Sequence, residues 1–274
     1  SIVSVANELG YETSFYHGAP NGSMGFQGFA NILGFKDYFG KTEYNNDKDF
    51  DGIWAIWDEP FLQYFAKNVG KSNKPFMATV FTASSHHPFK IPAQYEGKFK
   101  KGFVEMHEPI QYADYALKKY FETARKQPWY ENTIFVITGD HTNKIYYPEY
   151  AKAMNGYAVP IIFYSPNPKY NLKGKNMTYA QQIDIYPTLA DIIGYNKPLR
   201  SWGRSLVSDK NEEYIVVNSD AIQEQFMIGN YIYRFDGKEI TGVYEITDLE
   251  LKNNLLGKIN NAEIERGKLL SKAW

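Results

Sequence analysis

The stretch Thr133-Ile134-Phe135-Val136-Ile137-Thr138-Gly139-Asp140-His141-Thr142 constrains the fold more than any other part of the chain. Four consecutive apolar residues, Ile134 to Ile137, read as a buried strand. A run without polar alternation suits a parallel strand covered on both faces. Open α/β sheets collect ligands and catalytic groups just beyond the carboxyl ends of such strands. Gly139 lets the backbone turn there, so Asp140 and His141 need not keep the opposite-facing alternation of a continuing strand. An Asp–His pair so placed is a candidate metal site. It is equally compatible with a structural pair, in which the Asp accepts a hydrogen bond near a turn.

Other strand ends carry the same signature. Residues 2–10 are apolar at helical spacing and stop at Gly10, and the start reads as the interior of a helix. Tyr11 to Tyr16 then predict a short strand that ends at His17-Gly18. Residues 18–28, rich in glycine, predict an irregular loop, and Phe29–Leu33 a short helix. Residues 54–69 follow helical periodicity. Pro75 to Thr82 predict a second buried strand that runs into Ala83-Ser84-Ser85-His86-His87-Pro88-Phe89. A long helix over 103–126 leads to the strand of Phe135, which predicts a βαβ unit with parallel strands. Val159 to Tyr164 form a further short strand and Ile183 to Ile193 a helix. From Glu213 the texture changes to short strands, 214–218, 225–228, 231–235 and 243–246, with turn pairs at Gly229-Asn230 and Asp236-Gly237. A polar helix follows from about Ala262. His17, His86-His87 and Asp140-His141 therefore all fall at predicted strand ends, which in a parallel sheet lie along one edge.

Composition removes several classes of function. The chain has 30 basic and 31 acidic residues among 274, so no global field points to nucleic acid. It has no cysteine, which excludes disulfides, zinc–thiolate sites and thiol nucleophiles. No stretch approaches the roughly 20 apolar residues that span a bilayer, and the first residues lack a signal peptide's pattern. With 23 Tyr and 18 Phe, the aromatic content suits either core packing or a carbohydrate- or lipid-facing surface.

The motifs Thr82-Ala83-Ser84-Ser85-His86-His87-Pro88-Phe89, Asn132 to Thr142, Val159-Pro160-Ile161 and Gln182-Ile183-Asp184-Ile185-Tyr186-Pro187-Thr188-Leu189 resemble the sulfatase branch of the alkaline phosphatase superfamily. The likeness is greatest to its lipoteichoic-acid-synthase-like members and spans residues 11 to about 200. The tail from Val243 to Leu255 is similar to the sulfatase C-terminal segment. The resemblance implies an α/β fold with a mostly parallel sheet sandwiched by helices, followed by a small antiparallel meander. It implies residues 1–205 as part of a catalytic domain and 206–274 as a C-terminal subdomain with a tail helix.

The activity it implies is attack on a sulfate or phosphate ester by a threonine or formylglycine nucleophile, with a divalent metal neutralising the oxyanion. By motif position Asp140 and His141 would be metal ligands, an oxygen and nitrogen set that suits Mn, Zn, Ca or Mg. His86 would meet the ester oxygens as donor or proton shuttle. His17 would contact substrate, and His87 would support the substrate side. The family's nucleophile and first acidic ligand match no residue of this chain and are expected upstream, so the chain alone is expected to be inactive and to bind metal weakly. The resemblance places the parent protein in the cell envelope, on a periplasmic or extracellular face, with any membrane anchor before Ser1. Phosphoglycerol-transferring members carry a Trp and an Arg shortly after the position of His17, whereas this loop reads Asn21-Gly22-Ser23-Met24-Gly25-Phe26, which removes a guanidinium that would pair with phosphate. The alternatives are a membrane-surface phosphoglycerol or phosphoethanolamine transferase and, as a non-enzyme, a glycan- or headgroup-binding module on the same fold.

Overall fold

The structure is a computed structural model that describes residues 1–71, 74–208, 215–219 and 223–274. The chain divides into two compact units, Ser1–Ile134 with Ser165–Lys169, and Phe135–Tyr164 with Tyr170–Trp274.

In the first unit the parallel sheet is built as expected. Strand β1 (Glu12–His17) lies between β2 (Asp37–Phe39) and β3 (Phe76–Phe81), parallel to both. The β1–β3 register pairs Tyr16 with Val80 and His17 with Phe81, so both strands end at the same sheet edge. Helix α1 (Ile2–Glu8) has Ser1 before its first turn, where Ser1 Oγ accepts the Ser4 N–H. Its Val3 packs with Phe15, with Ala30 of α2 (Phe26–Leu33) and with Phe35. A single turn, α3 (Lys41–Tyr44), follows.

Helix α4 (Asp58–Asn68) starts four residues later than the periodicity predicts. The Asp51 carboxylate accepts the N–H groups of Ile53, Trp54 and Ala55, which spends them on a turn rather than a helix. Helix α5 (His107–Ala124) lays Tyr112, Ala116, Tyr120 and Ala124 along one buried stripe, an i, i+4 spacing. The ring of Tyr120 stacks 5.6 Å from Phe65 of α4.

In the second unit the strand predicted from Ile134 to Ile137 appears as β4 (Phe135–Thr138). Its pairing corrects the expectation of a parallel βαβ partner: β4 pairs antiparallel with β5 (Ile161–Tyr164), with Val136 opposite Phe163. Continuous apolarity reports coverage of both faces and is silent on the direction of the neighbour. After helix α6 (Ile185–Ile192), the meander forms as β6 (Ile215–Ser219), β7 (Glu224–Ile228), β8 (Tyr231–Phe235) and β9 (Ile240–Glu245), each antiparallel to the next. Tyr214, at the start of the expected first strand, lies outside the described residues.

Both faces of this sheet are covered. Phe226, Ile228, Tyr233 and Phe235 join one cluster, while Met227, Ile232 and Tyr244 join another. The alternation within β7 and β8 follows from the period of two along a strand. Helix α7 (Asn261–Ala273), capped by the Asn260 side chain on the Glu263 N–H, closes the first face.

Gly267 makes that closure possible. A Cβ there would come within 2.3 Å of the Tyr233 ring, which is fully buried and donates to Glu263 Oε1 at 2.9 Å. Ala gains about 1 kcal/mol of helix propensity over Gly, but the ring has nowhere to move. Gly267→Ala is therefore expected to destabilise the chain by about 1–2 kcal/mol, read as a lower denaturation midpoint in urea. An unchanged or higher midpoint would show that α7 can lift without cost.

Candidate functional site

His17 is the last residue of β1 and 5% exposed. Its Nδ1 lies 3.0 Å from the Phe81 carbonyl, and its ring sits 4.6 Å from Phe26 and 5.1 Å from Phe81. A carbonyl only accepts, so Nδ1 carries the proton and Nε2 keeps its lone pair. Burial pushes this imidazole below its usual range, against the opposing pull of the Phe81 carbonyl.

His86 stands on the turn after β3. A buried carboxylate holds that turn. Asp58, 2% exposed, accepts the N–H groups of Ala83 and Ser84 through Oδ1, each at 3.0 Å. The Asp58 N–H donates in return to Ser84 Oγ at 2.9 Å. Burial raises the Asp58 carboxyl above its usual range, while those hydrogen bonds pull it down. Beyond the clamp, the His87 carbonyl accepts from His86 Nδ1 at 3.0 Å and from Trp54 Nε1 at 2.5 Å. The Trp54 ring meets the His86 ring edge-on at 4.4 Å. His86 Nε2 therefore retains the lone pair. The peptide bond between His87 and Pro88 is cis. The part of His87 that holds this loop is its carbonyl, while its exposed ring rests edge-on to Phe89 at 5.6 Å.

In the second unit Asp140 and His141 follow β4 on an exposed loop. Asp140 Oδ1 accepts the His141 N–H at 2.9 Å, and Oδ2 lies 3.3 Å from His141 Nε2. His141 Nδ1 donates to the Thr142 carbonyl at 2.6 Å. Nδ1 is thus spent on the Thr142 carbonyl, and Nε2 and a carboxylate oxygen come together at one place. Their side chains are 56% and 53% exposed. Gly139 turns without a left-handed φ, and a Cβ there would meet Val159 only at an ordinary 3.4 Å.

Gln182 fixes the loop from outside: its Nε2 donates to the carbonyls of Gly139 at 2.6 Å and Asp140 at 2.9 Å. The turn that carries Gln182 is held by buried Asp184, which accepts from Gln181 N at 2.8 Å and Arg204 N at 2.9 Å.

The sequence-derived residues thus fall as three histidines in the first unit and the Asp–His pair in the second. His17 and the His86 turn share a sheet edge. For a divalent metal, Asp140 and His141 fit as two ligands: an oxygen and an imidazole nitrogen whose other nitrogen is tied to a carbonyl, the arrangement that orients metal-binding histidines. Among the described residues no group of three or more His, Asp or Glu side chains could hold a metal ion. The sequence reading missed Trp54, Asp58 and Gln182 as supports. Gln182 stood inside a quoted motif, whereas Trp54 and Asp58 carry no local signal, because their partners lie 33 and 26 residues away.

Two measurements check this geometry. Asp58→Ala strands two backbone donors, each costing about 1–3 kcal/mol when buried and unmade, while Asp58→Asn keeps the accepting oxygen. Calorimetry should therefore show a larger loss for Ala than for Asn, and equal losses would refute the clamp. For His17, a lowered pKa means the fold favours the neutral ring. That stability is present above the unfolded value of about 6.5 and is lost as pH falls through it. From about pH 7.5 to about 5.5, the Tm of His17→Gln should fall less than that of the unaltered chain. Parallel curves would contradict a buried neutral His17.

A sequence model of the family described as Sulfatase matches residues 1–195. Lipoteichoic acid synthase 1 of Bacillus subtilis (strain 168) is 22% identical over 245 residues, which are 82% of this chain and 38% of that protein. Lipoteichoic acid synthase of Staphylococcus aureus (strain USA300) is 25% identical over 277 residues, 94% of this chain and 40% of the relative. The chain therefore spans about two fifths of the length of these curated relatives. Among solved structures, a protein in the alkaline phosphatase superfamily from Vibrio parahaemolyticus superposes with a TM-score of 0.78 at 24% identity, covering 97% of this chain and 65% of the other. The lipoteichoic acid synthase LtaP from Listeria monocytogenes superposes at 0.75 with 16% identity, covering 100% of this chain and 70% of the other. These two share its α/β fold. Since the family model covers well over half of its residues, the chain belongs to the Sulfatase family.

Proposed function

We propose that this chain forms part of the catalytic centre of a metal-dependent enzyme that transfers or hydrolyses a phosphate or sulfate ester. In this reading Asp140 and His141 are two ligands of a divalent cation, and His86 and His17 contact the ester. The observation that carries it is the Asp140–His141 geometry: a carboxylate oxygen 3.3 Å from an imidazole nitrogen whose partner nitrogen is spent on Thr142. Phosphate transfer is favoured over sulfate hydrolysis because the curated relatives are named lipoteichoic acid synthases. In this reading the parent protein works in the cell envelope, which the same names support. Residues 1–205 then carry the catalytic part and 206–274 a C-terminal antiparallel subdomain.

A divalent cation bound there supplies Lewis-acid stabilisation of the ester's oxyanion. The protein's own groups divide the remaining work. With Nδ1 committed to the His87 carbonyl, His86 presents Nε2 alone, which takes a proton when neutral and donates to an ester or leaving-group oxygen when protonated. His17, neutral and donating through Nδ1, can only accept at Nε2, so it suits a substrate hydroxyl rather than a phosphoryl oxygen. Gln182 keeps the Asp140 loop in place. Trp54 holds the His87 carbonyl and braces the His86 ring.

Mn²⁺ binding followed by electron paramagnetic resonance tests the ligand assignment. Removing even an outer partner of a metal ligand costs about 10–100-fold in affinity. Asp140→Asn or His141→Ala is thus expected to weaken the chain's own modest affinity at least as much. Equal binding by all three proteins would remove the assignment. For activity, the 274-residue chain is expected to be silent on phosphodiester, phosphate monoester and aryl sulfate. The parent protein should act on one of them and lose that activity in EDTA. Turnover by the chain alone would overturn the expectation that its nucleophile lies elsewhere.

A further inference from the structure

On the surface of the first unit, three aromatic rings close around an ammonium group. Lys98 Nζ lies 3.7 Å from the centroid of Tyr115, 4.7 Å from Tyr95 and 5.8 Å from Phe99. The rings hold one another: Tyr95 and Tyr115 are 5.4 Å apart, Phe99 and Tyr115 5.9 Å, and Tyr95 and Phe99 6.1 Å. All three are half-buried, while Lys98 is exposed and lies across them. The turn that delivers it is local: Gly97 takes a left-handed φ of 76°, and the Lys98 N–H returns to the Tyr95 carbonyl at 3.0 Å.

We propose that Tyr95, Phe99 and Tyr115 form a binding site for a small quaternary ammonium ion, with Lys98 as its resident occupant. The negative faces of the rings attract any cation, by about 0.5–1 kcal/mol when exposed and about 2 or more when desolvated. A lysine ammonium is compact and strongly hydrated, so it gives up the rings at little cost. A methylated ammonium sheds water readily and touches several rings at once. Glu59 adds negative potential, acting electrostatically on both Lys98 and Tyr95. The site is braced from below by Tyr112, whose ring lies 5.4 Å from Tyr95 and whose hydroxyl accepts the Glu59 N–H at 3.2 Å. Asp58 and Glu59 are neighbours in the first turn of α4, so the ammonium site and the His86 turn hang from consecutive residues. The inference stands apart from the ester chemistry and holds whichever ester the enzyme uses.

Choline chloride, titrated into the full chain against sodium chloride of equal ionic strength, is the probe. Lys98→Ala should bind choline about tenfold more tightly than the unaltered chain, and adding Tyr115→Leu should abolish that binding. Ethanolamine should bind Lys98→Ala more weakly than choline. In the unaltered chain, the Lys98 methylene resonances should be shifted upfield by the rings and return towards solvent values at saturating choline. That NMR displacement decides the matter if far-UV circular dichroism shows that Lys98→Ala fails to fold. The proposal is overturned if Lys98→Ala binds choline no better than the unaltered chain. It is also overturned if Tyr115→Leu leaves binding intact, if ethanolamine binds as well as choline, or if choline leaves the lysine resonances in place.

Discussion

The chemistry-bearing loop of the first unit depends on one buried carboxylate. Asp58 spends an oxygen on two backbone donors at the start of the His86 turn, and its own N–H donates to Ser84 Oγ. A helix start is where a carboxylate is most at home, since free N–H groups and the helix dipole both favour negative charge there. Here the carboxylate reaches out to a second segment and fastens it to α4. With Trp54 bound to the His87 carbonyl, the turn is held from two sides.

The second unit solves the same problem with the same device. Buried Asp184 accepts from Gln181 and Arg204, and the turn it stabilises presents Gln182 to the Gly139 and Asp140 carbonyls. In both units an acid is satisfied by backbone donors, and a separate loop carries the exposed imidazole. On the reading proposed above, this arrangement assigns His86 Nε2, His141 Nε2 and Asp140 Oδ2 to ligands, because the other ring nitrogens are already engaged with carbonyls. Placing functional groups on loops that rigid elements hold from behind is how many enzymes combine precision with access.

Much of this was legible in the linear chain, because the signals are periodic and local. The parallel strands β1 and β3, helix α5 and the antiparallel meander follow from apolar spacing and turn residues. The histidines at strand ends, with the motifs around Asp140 and Gln182, pointed to the Sulfatase family that the family model confirms. Two readings changed for identifiable reasons. Asp51 competes for the N–H groups of residues 53–55 and delays α4 to Asp58. Strand β4 takes an antiparallel partner, because apolarity marks burial and not direction.

What the sequence determined by itself is the kind of chain this is: an α/β protein of a known family, with an acid–imidazole pair at the end of an apolar strand and further histidines at the ends of others. These properties belong to neighbouring residues, and short-range spacing encodes them. Only the tertiary structure decided which nitrogen of His17, His86 and His141 is engaged, because that depends on the Phe81, His87 and Thr142 carbonyls facing each Nδ1. It also decided that Asp58 would become the clamp for a turn 25 residues away, and that Lys98 would fold back over Tyr95 and Tyr115. Hydrogen bonds and cation–ring contacts of that kind are set by distance and angle in space, and the linear order of residues carries neither.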